Sequence, residues 1–323
     1  MSLPLSTRIF ALVEHATSRP IEQVTDFEAR RAARLALQRS PVGQWLFGTT
    51  DRAVLTDART VEVAGRSRRM IVHRRIDALR GGGTLESAPL VLNLHGGGWV
   101  QGNPEQSAWF ASRVAARTGA VVVSPDYRLA PEDPFPAAVE DAWELLRWVH
   151  DHAEELHGDP GRIAVMGDSA GGGLAAAVAL QARDEDGPRL AAQVLVYPGV
   201  EAYDRWPSED EFADAAVLTS ANMRSFVRLY LGDEYGTLDW RASPIRAESH
   251  ADLPPTFVVV ADHDPLADHG RRYAEKLRAA GVDVTVEEYP ALHGFISLPG
   301  VHPAARTALN DVSDFLERTV TSL

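Results

Sequence analysis

The chain of 323 residues contains no cysteine. That absence excludes disulfides, thiolate nucleophiles, zinc knuckles and iron–sulfur clusters together. Lysine is almost missing too: Lys276 is the only one, so the cationic side chains are nearly all arginine. There is no basic surplus, and a formal net charge of −13 would repel nucleic-acid phosphates. The acidic residues are scattered rather than clustered, so the charge does not point to a cationic substrate either. No apolar run approaches the ~20 residues of a membrane span. The first residues, Met1 to His15, are too broken by polar side chains to form a secretory h-region. These absences lead to the expectation of a cytoplasmic protein with no membrane span and no nucleic-acid partner. What remains is ordinary globular material: 45% hydrophobic and 24% charged residues, enough for a large core. The length suits one large α/β domain carrying an inserted lobe.

The residue pattern gives that domain an order. Helical periodicity runs over 7–17 and about 26–39, with Thr25 expected as N-cap of the second helix and Glu28 as its capping-box partner. Extended segments follow at about 60–64 and 69–76, and the run Gly81-Gly82-Gly83 reads as a mobile hairpin connection. From Leu90 onward, short apolar strands alternate with amphipathic helices. Strands are expected near 90–94, 120–124, 162–166, 193–197, 256–261 and 283–288, and helices near 105–118, 137–157, 170–184, 266–280 and 303–320. That alternation means a largely parallel sheet covered on both faces. Between Gly199 and about Pro254 the rhythm breaks: acidic turns and one helix near 219–231, without a strand, make a candidate lid.

The chemistry is concentrated where strands end. Ile163 to Leu174 reads as an apolar strand running into Gly167-Asp168-Ser169-Ala170-Gly171, then into a helix, the Gly-x-Ser-x-Gly elbow in its strand–turn–helix setting. Gly167 and Gly171 flank a turn too sharp for a Cβ, and the helix from Ala170 aims its amides at any anion formed beside the Ser169 hydroxyl. A serine nucleophile needs a base, an acid to orient that base, and donors for an oxyanion. Of eleven histidines, His293 follows the strand ending near Glu288, inside Leu292-His293-Gly294-Phe295. Asp262, Asp264 and Asp268 crowd the end of the strand at 257–261. Asp264, fixed by Pro265, is the favoured acid, with Asp262 as runner-up and helix capping as its alternative role. His95-Gly96-Gly97-Gly98 follows the strand at 90–94. With no phosphate-loop signature elsewhere, the amides of Gly97, Gly98 and Ala170 are the expected oxyanion donors and His95 a structural support.

With these residues assembled, the chain resembles the hormone-sensitive-lipase-like carboxylesterases, the bacterial family IV of lipolytic enzymes in its Gly-Asp-Ser-Ala-Gly subgroup. The resemblance extends over nearly the whole chain. It rests on His95 to Trp99, Tyr127 to Glu132, Phe135 to Asp141, Gly167 to Gly172, Asp264 to Asp268 and His293 to Phe295, and on 212–214, 218–231 and 242–244. It implies an α/β-hydrolase fold with a mostly parallel eight-stranded sheet, helices on both faces and a helical cap. The implied division is N-terminal cap helices at 1–50, core at 51–199, cap insertion at 200–250 and core again at 251–323. It also implies hydrolysis of short- to medium-chain carboxylic esters through an acyl-enzyme, with Ser169, Asp264 and His293 catalytic. No metal and no organic cofactor are implied. Homodimerisation through the edge strand at about 283–288 is common in such a family, though Glu287 and Glu288 would blunt that edge. Two departures stand out: Gly173 replaces a usual asparagine, which would loosen the first helical turn, and the strands before Leu90 match poorly.

Substrate size is less legible. Trp99, Tyr197, Trp206, Phe212, Val217 and Phe295 are candidate pocket residues, each equally readable as core packing. An amidase or deacetylase would use the same triad. A ligand-binding receptor on a dead hydrolase scaffold, as in plant gibberellin receptors, would lack the histidine that this chain retains at 293. A haloalkane dehalogenase or epoxide hydrolase would carry aspartate at the elbow apex.

Overall fold

The computed structural model describes residues 2–17, 20–77 and 87–321; the glycine run expected as a hairpin connection lies outside them. Eight strands make one sheet: β1 (Val54–Val63), β2 (Arg66–Arg75), β3 (Ala88–Leu94), β4 (Val121–Pro125), β5 (Gly158–Asp168), β6 (Leu190–Val196), β7 (Thr256–His263) and β8 (Val284–Leu292). Their order is β1-β2-β4-β3-β5-β6-β7-β8. β2 is antiparallel to both β1 and β4, and every other pairing is parallel. The register that the sequence left open is a regular ladder from Val54 opposite Arg75 to Val63 opposite Arg66. β8 is an edge strand, as expected, and Glu287 and Glu288 both lie exposed on it.

Strand alternation separates two cores. Leu90, Leu92 and Leu94 of β3 and Val258 and Val260 of β7 face one side, where they meet α5 (Ala137–Asp151), α6 (Ala170–Asp184) and α9 (Ala267–Ala279). Val91 of β3 and Phe257, Val259 and Ala261 of β7 face the other, against α4 (Ala108–Thr118) and α10 (Ala304–Leu316). Period-two side-chain direction on a sheet buried twice demands such continuous apolar strands. α6 is buried on all sides from Ala170 to Ala182, and its Ala/Gly composition lets it lie in that position between sheet and α5. α4 ends where Gly119 adopts the left-handed conformation and returns its amide to Ala115 O.

The N-terminal helices are α1 (Leu5–Thr17), α2 (Phe27–Arg39) and α3 (Pro41–Phe47). The cap of α2 is Asp26, whose side chain accepts the Ala29 amide at 2.8 Å, and not Thr25. Aspartate one residue later reaches the same orphan donors, and the helix starts at Phe27. The 200–250 segment contains no strand; it carries α7 (Pro207–Glu211) and α8 (Ser220–Leu231), with Thr219 capping the latter. Helix ends elsewhere are trimmed: the run expected to 157 stops at Asp151, and the last α-helix gives way at Glu317 to a wider turn. The two helical regions touch: Ile21 N–H donates to Asn222 Oδ1 at 3.0 Å, and Ser225 Oγ donates to Glu22 at 2.6 Å.

Candidate active site

β5 delivers Ser169 in a conformation that residues with a Cβ seldom adopt, φ 57° and ψ −118°. The backbone around it leaves no alternative. A Cβ on Gly167 would collide with the Gly171 carbonyl, and one on Gly171 would collide with the Leu94 carbonyl. Ser169 N–H donates to Val196 O at 2.9 Å, while Ser169 O accepts from Gly173 N at 3.1 Å and Gly199 N at 3.0 Å. The substitution at 173 therefore leaves the first turn closed. A side chain there would strike the Gly199 carbonyl, so glycine permits the close approach of that backbone.

Beyond β8, Gly294 takes a left-handed conformation and turns His293 back toward the elbow. His293 Nε2 lies 2.9 Å from Ser169 Oγ, and its Nδ1 lies 2.6 Å from Asp264 Oδ2. All three side chains are buried, Asp264 completely. An ionised carboxylate only accepts, so Nδ1 carries the ring proton and Nε2 presents a lone pair to the serine hydroxyl. Asp264 is pinned from its other oxygen, Oδ1, which accepts the Leu266 amide at 2.9 Å. Asp262, the runner-up, points elsewhere: its Oδ1 is 2.5 Å from His263 Nδ1 and accepts the Ala291 amide. Asp268 accepts the Ser208 amide and pairs with Arg271.

The loop after β3 approaches the elbow from the other side. Gly97 and Gly98 have φ 126° and φ 62°, and neither donates its amide to another described residue. Ala170 is the first residue of α6, so its N–H lies outside the helix's own hydrogen-bond ladder. The loop is held from below by Asp168, whose Oδ1 accepts the Gly96 amide at 2.9 Å, and by Tyr127, whose hydroxyl donates to His95 O at 2.7 Å. Burial pushes the Asp168 carboxyl up to about 6, with the Gly96 amide pulling the other way. His95 is structural: it bonds Gly96 O through Nδ1, stacks on Tyr127 at 4.3 Å, and is held neutral by burial, which lowers its pKa to about 4.

A cavity of about 170 Å³ opens over Ser169 and is lined by Gly97, Gly98, Asp168, Ala170 and His293. Of the six aromatic and aliphatic candidates, Trp99 and Val217 line it. The other four do not. Tyr197 is fully buried behind His293, ring to ring at 4.8 Å, and Phe295 packs in the core against Tyr197 and Tyr289. Trp206 packs edge-on to His269 and Phe212 beside His263, each lining a separate hollow from the one over the serine. The strand- and loop-end position of these four gave no way to distinguish packing from lining. Sequence reading missed the apolar wall of Ile21, Leu218, Met223 and Phe226, and a polar wall from α1 and α2: Glu14, Arg30 and Arg34. The i,i+4 spacing of the two arginines was visible, but the surface they face was not.

Fold and site together define an α/β hydrolase with a Ser–His–Asp constellation. A sequence profile described as the alpha/beta hydrolase fold matches residues 91–297. The chain is 47% identical over 225 residues to the protein named esterase LipI from Mycobacterium tuberculosis (strain ATCC 25618 / H37Rv), covering 69% of this chain and 70% of that one. It is 34% identical over 232 residues to an ethyl acetate hydrolase from Pseudomonas putida, covering 71% and 72%. The solved hyperthermophilic esterase from the archaeon Pyrobaculum calidifontis superposes with a TM-score of 0.87 at 34% identity, over 98% of this chain and 99% of that one. The chain belongs to the hormone-sensitive-lipase-like carboxylesterase family of α/β hydrolases.

Proposed function

We propose that this protein hydrolyses carboxylic esters through an acyl-enzyme formed on Ser169. The single observation that carries the reading is the unbroken path from Ser169 Oγ through His293 to Asp264, at 2.9 and 2.6 Å. Ser169 Oγ attacks the ester carbonyl as His293 Nε2 takes its proton, and Asp264 stabilises the imidazolium. The oxyanion is received by the amides of Gly97, Gly98 and Ala170; one such donor is worth roughly 10²–10³ in rate. Collapse expels the alcohol, protonated by Nε2. Water then attacks the acyl carbonyl, gives its proton to His293, and releases the acid as Oγ regains its hydrogen.

The N-terminal helices and the 200–250 insertion together act as a cap that encloses the acyl and alcohol groups. The cavity of about 170 Å³ is walled by Ile21, Leu218, Met223 and Phe226, an apolar enclosure that favours short to medium chains. Fluorophosphonate labelling with mass mapping tests the nucleophile: one adduct on Ser169 is expected, and an unlabelled Ser169 in active protein overturns the assignment. A panel of nitrophenyl esters from about two to sixteen carbons tests the size limit; a maximum at sixteen overturns it.

A further inference from the structure

The cavity wall formed by α2 is cationic in a protein with a net charge of −13. Arg30 and Arg34, one helical turn apart, both line the cavity that holds Ser169. Their neighbour Arg31 is fully engaged in structure: it donates to Val100 O at 2.8 Å, to Ala130 O at 2.7 Å and to Glu132 at 2.8 Å. Arg30 spends its Nε on Gln101, at 2.8 Å. Arg34 differs, because its buried Nε has no hydrogen-bond partner among the described residues. Desolvation lowers the pKa of both guanidinium groups, and Arg34 also feels repulsion from Arg30; the attraction of Glu14 does not offset these effects. Two half-buried guanidinium groups that share one carboxylate are costly to the fold, and such residues concentrate where a ligand supplies a further partner.

The other carboxylates on the wall are committed. Glu201 pairs with Arg246 at 2.7 Å and accepts the amides of Ala202 and Tyr203. Asp168 holds the Gly96 amide. Glu14 is the carboxylate whose attraction both arginines feel, so one of the two guanidinium charges has no carboxylate of its own. A monoanion fits that balance better than a dianionic phosphate, and the planar guanidinium fork matches a carboxylate in shape.

We propose that Arg30 and Arg34 bind a free carboxylate on the substrate, so that the preferred ester is a carboxylate-bearing one, either a half-ester of a short dicarboxylic acid or an ester of a hydroxy acid. This specificity rests on the ester-hydrolase reading above. Arg30, Arg34 and Ser169 line one cavity, so the spacer that joins ester and carboxylate is a short one.

The test compares matched esters in a pH-stat. Monoethyl succinate, glutarate and adipate against ethyl butyrate and pentanoate place the charge on the acyl side. Acetoxy acids against propyl and butyl acetate place it on the alcohol side. At least one charged ester should exceed its neutral partner in kcat/KM by roughly tenfold or more. Arg34→Gln should collapse that ratio through a raised KM for the charged ester, and Arg34→Lys should retain part of it. Free adipate or glutarate should raise the unfolding temperature of the wild type and slow fluorophosphonate labelling of Ser169, and should do neither in Arg34→Gln. Equal or better turnover of every neutral partner by the wild type overturns the proposal. So does an Arg34→Gln variant that loses charged and neutral turnover in the same proportion, which is the signature of a merely structural arginine. Absence of all ester turnover and of any Ser169 adduct would instead sink the hydrolase reading, and the dicarboxylate-induced shift in unfolding temperature would still decide whether the arginines bind an anion.

Discussion

Replacing Asp264 by asparagine isolates what the buried carboxylate does for His293. The side chain is fully enclosed, with Oδ1 accepting the Leu266 amide at 2.9 Å and Oδ2 2.6 Å from His293 Nδ1. Asparagine has one oxygen to offer, and the Leu266 N–H requires an acceptor. The amide oxygen therefore takes the Leu266 side, and the NH₂ group faces the imidazole. An NH₂ only donates, so Nδ1 becomes the acceptor and the ring proton moves to Nε2, which faces Ser169 Oγ at 2.9 Å. A protonated Nε2 cannot take the hydroxyl proton. Flipping the amide restores the tautomer but leaves the Leu266 N–H facing a second donor, at about 1–3 kcal/mol. That equilibrium alone reduces the competent fraction roughly 5- to 150-fold. Loss of the charge that stabilises the imidazolium adds to it, and a total fall in kcat/KM of roughly 10⁴ is expected, about 5.5 kcal/mol of transition-state stabilisation. The assay is steady-state hydrolysis of a nitrophenyl ester by Asp264→Asn, with Asp262→Asn in parallel and unfolding temperatures for both. Asp262 serves His263 and Ala291, so its variant should lose less than about tenfold. Wild-type kcat/KM in folded Asp264→Asn, or a larger loss in Asp262→Asn, would refute the reasoning.

Asp168→Ala leaves the Gly96 amide without an acceptor and should cost about 1–3 kcal/mol in urea unfolding along with a lower kcat, whereas Asp168→Asn keeps an acceptor and should lose less. Gly98→Ala places a Cβ into the Phe226 ring and should destabilise by about 1–3 kcal/mol; Phe226→Ala should relieve part of that. Additive unfolding energies in the four-protein cycle would show that the two positions do not touch. Stability should fall as pH drops from 6.5 toward 4. Burial holds His73, His95 and His302 at about 4 and His269 at about 3, so the unfolded chain takes up protons in that window that the folded one refuses. Each imidazole contributes up to about 1.4 kcal/mol per pH unit there. Asp168, raised to about 6, opposes them because it binds its proton more readily when folded. Urea midpoints equal at pH 7 and pH 5 would contradict the balance.

The residues that could be read from sequence are those whose role is set by local backbone geometry. The elbow glycines, the glycine run after β3 and the proline after Asp264 each force a turn at a strand end, and a parallel sheet gathers strand ends in one place. Even the choice between Asp262 and Asp264 is local: the two side chains lie two residues apart near the end of β7, one reaching His263 and the other His293. The missed features depend on distant parts of the chain. Arg30 and Arg34 meet the serine only because α2 docks on the loop after β3 through Arg31. Tyr197, Trp206, Phe212 and Phe295 share composition with true lining residues, and only three-dimensional packing tells them apart. The displaced cap of α2, Asp26 in place of Thr25, is a choice between adjacent residues of similar capping strength.

Four of the eight non-glycine residues with positive φ among the described residues gather at this site: Trp99, Ser169, Tyr197 and Val217. For a tryptophan, a tyrosine and a β-branched valine, that region costs roughly 1–2 kcal/mol each, which the surrounding packing must overcome. The protein thus holds its reaction centre under tension, like a sprung clasp. Glycine would relax the backbone at each position, but at Trp99 and Tyr197 the lost ring packing, about 3–5 kcal/mol, outweighs the relief, and at Ser169 the nucleophile itself would go. Stabilised descendants that keep Trp99, Ser169, Tyr197 and Val217 unchanged would mark the places where evolution has to leave tension in the backbone.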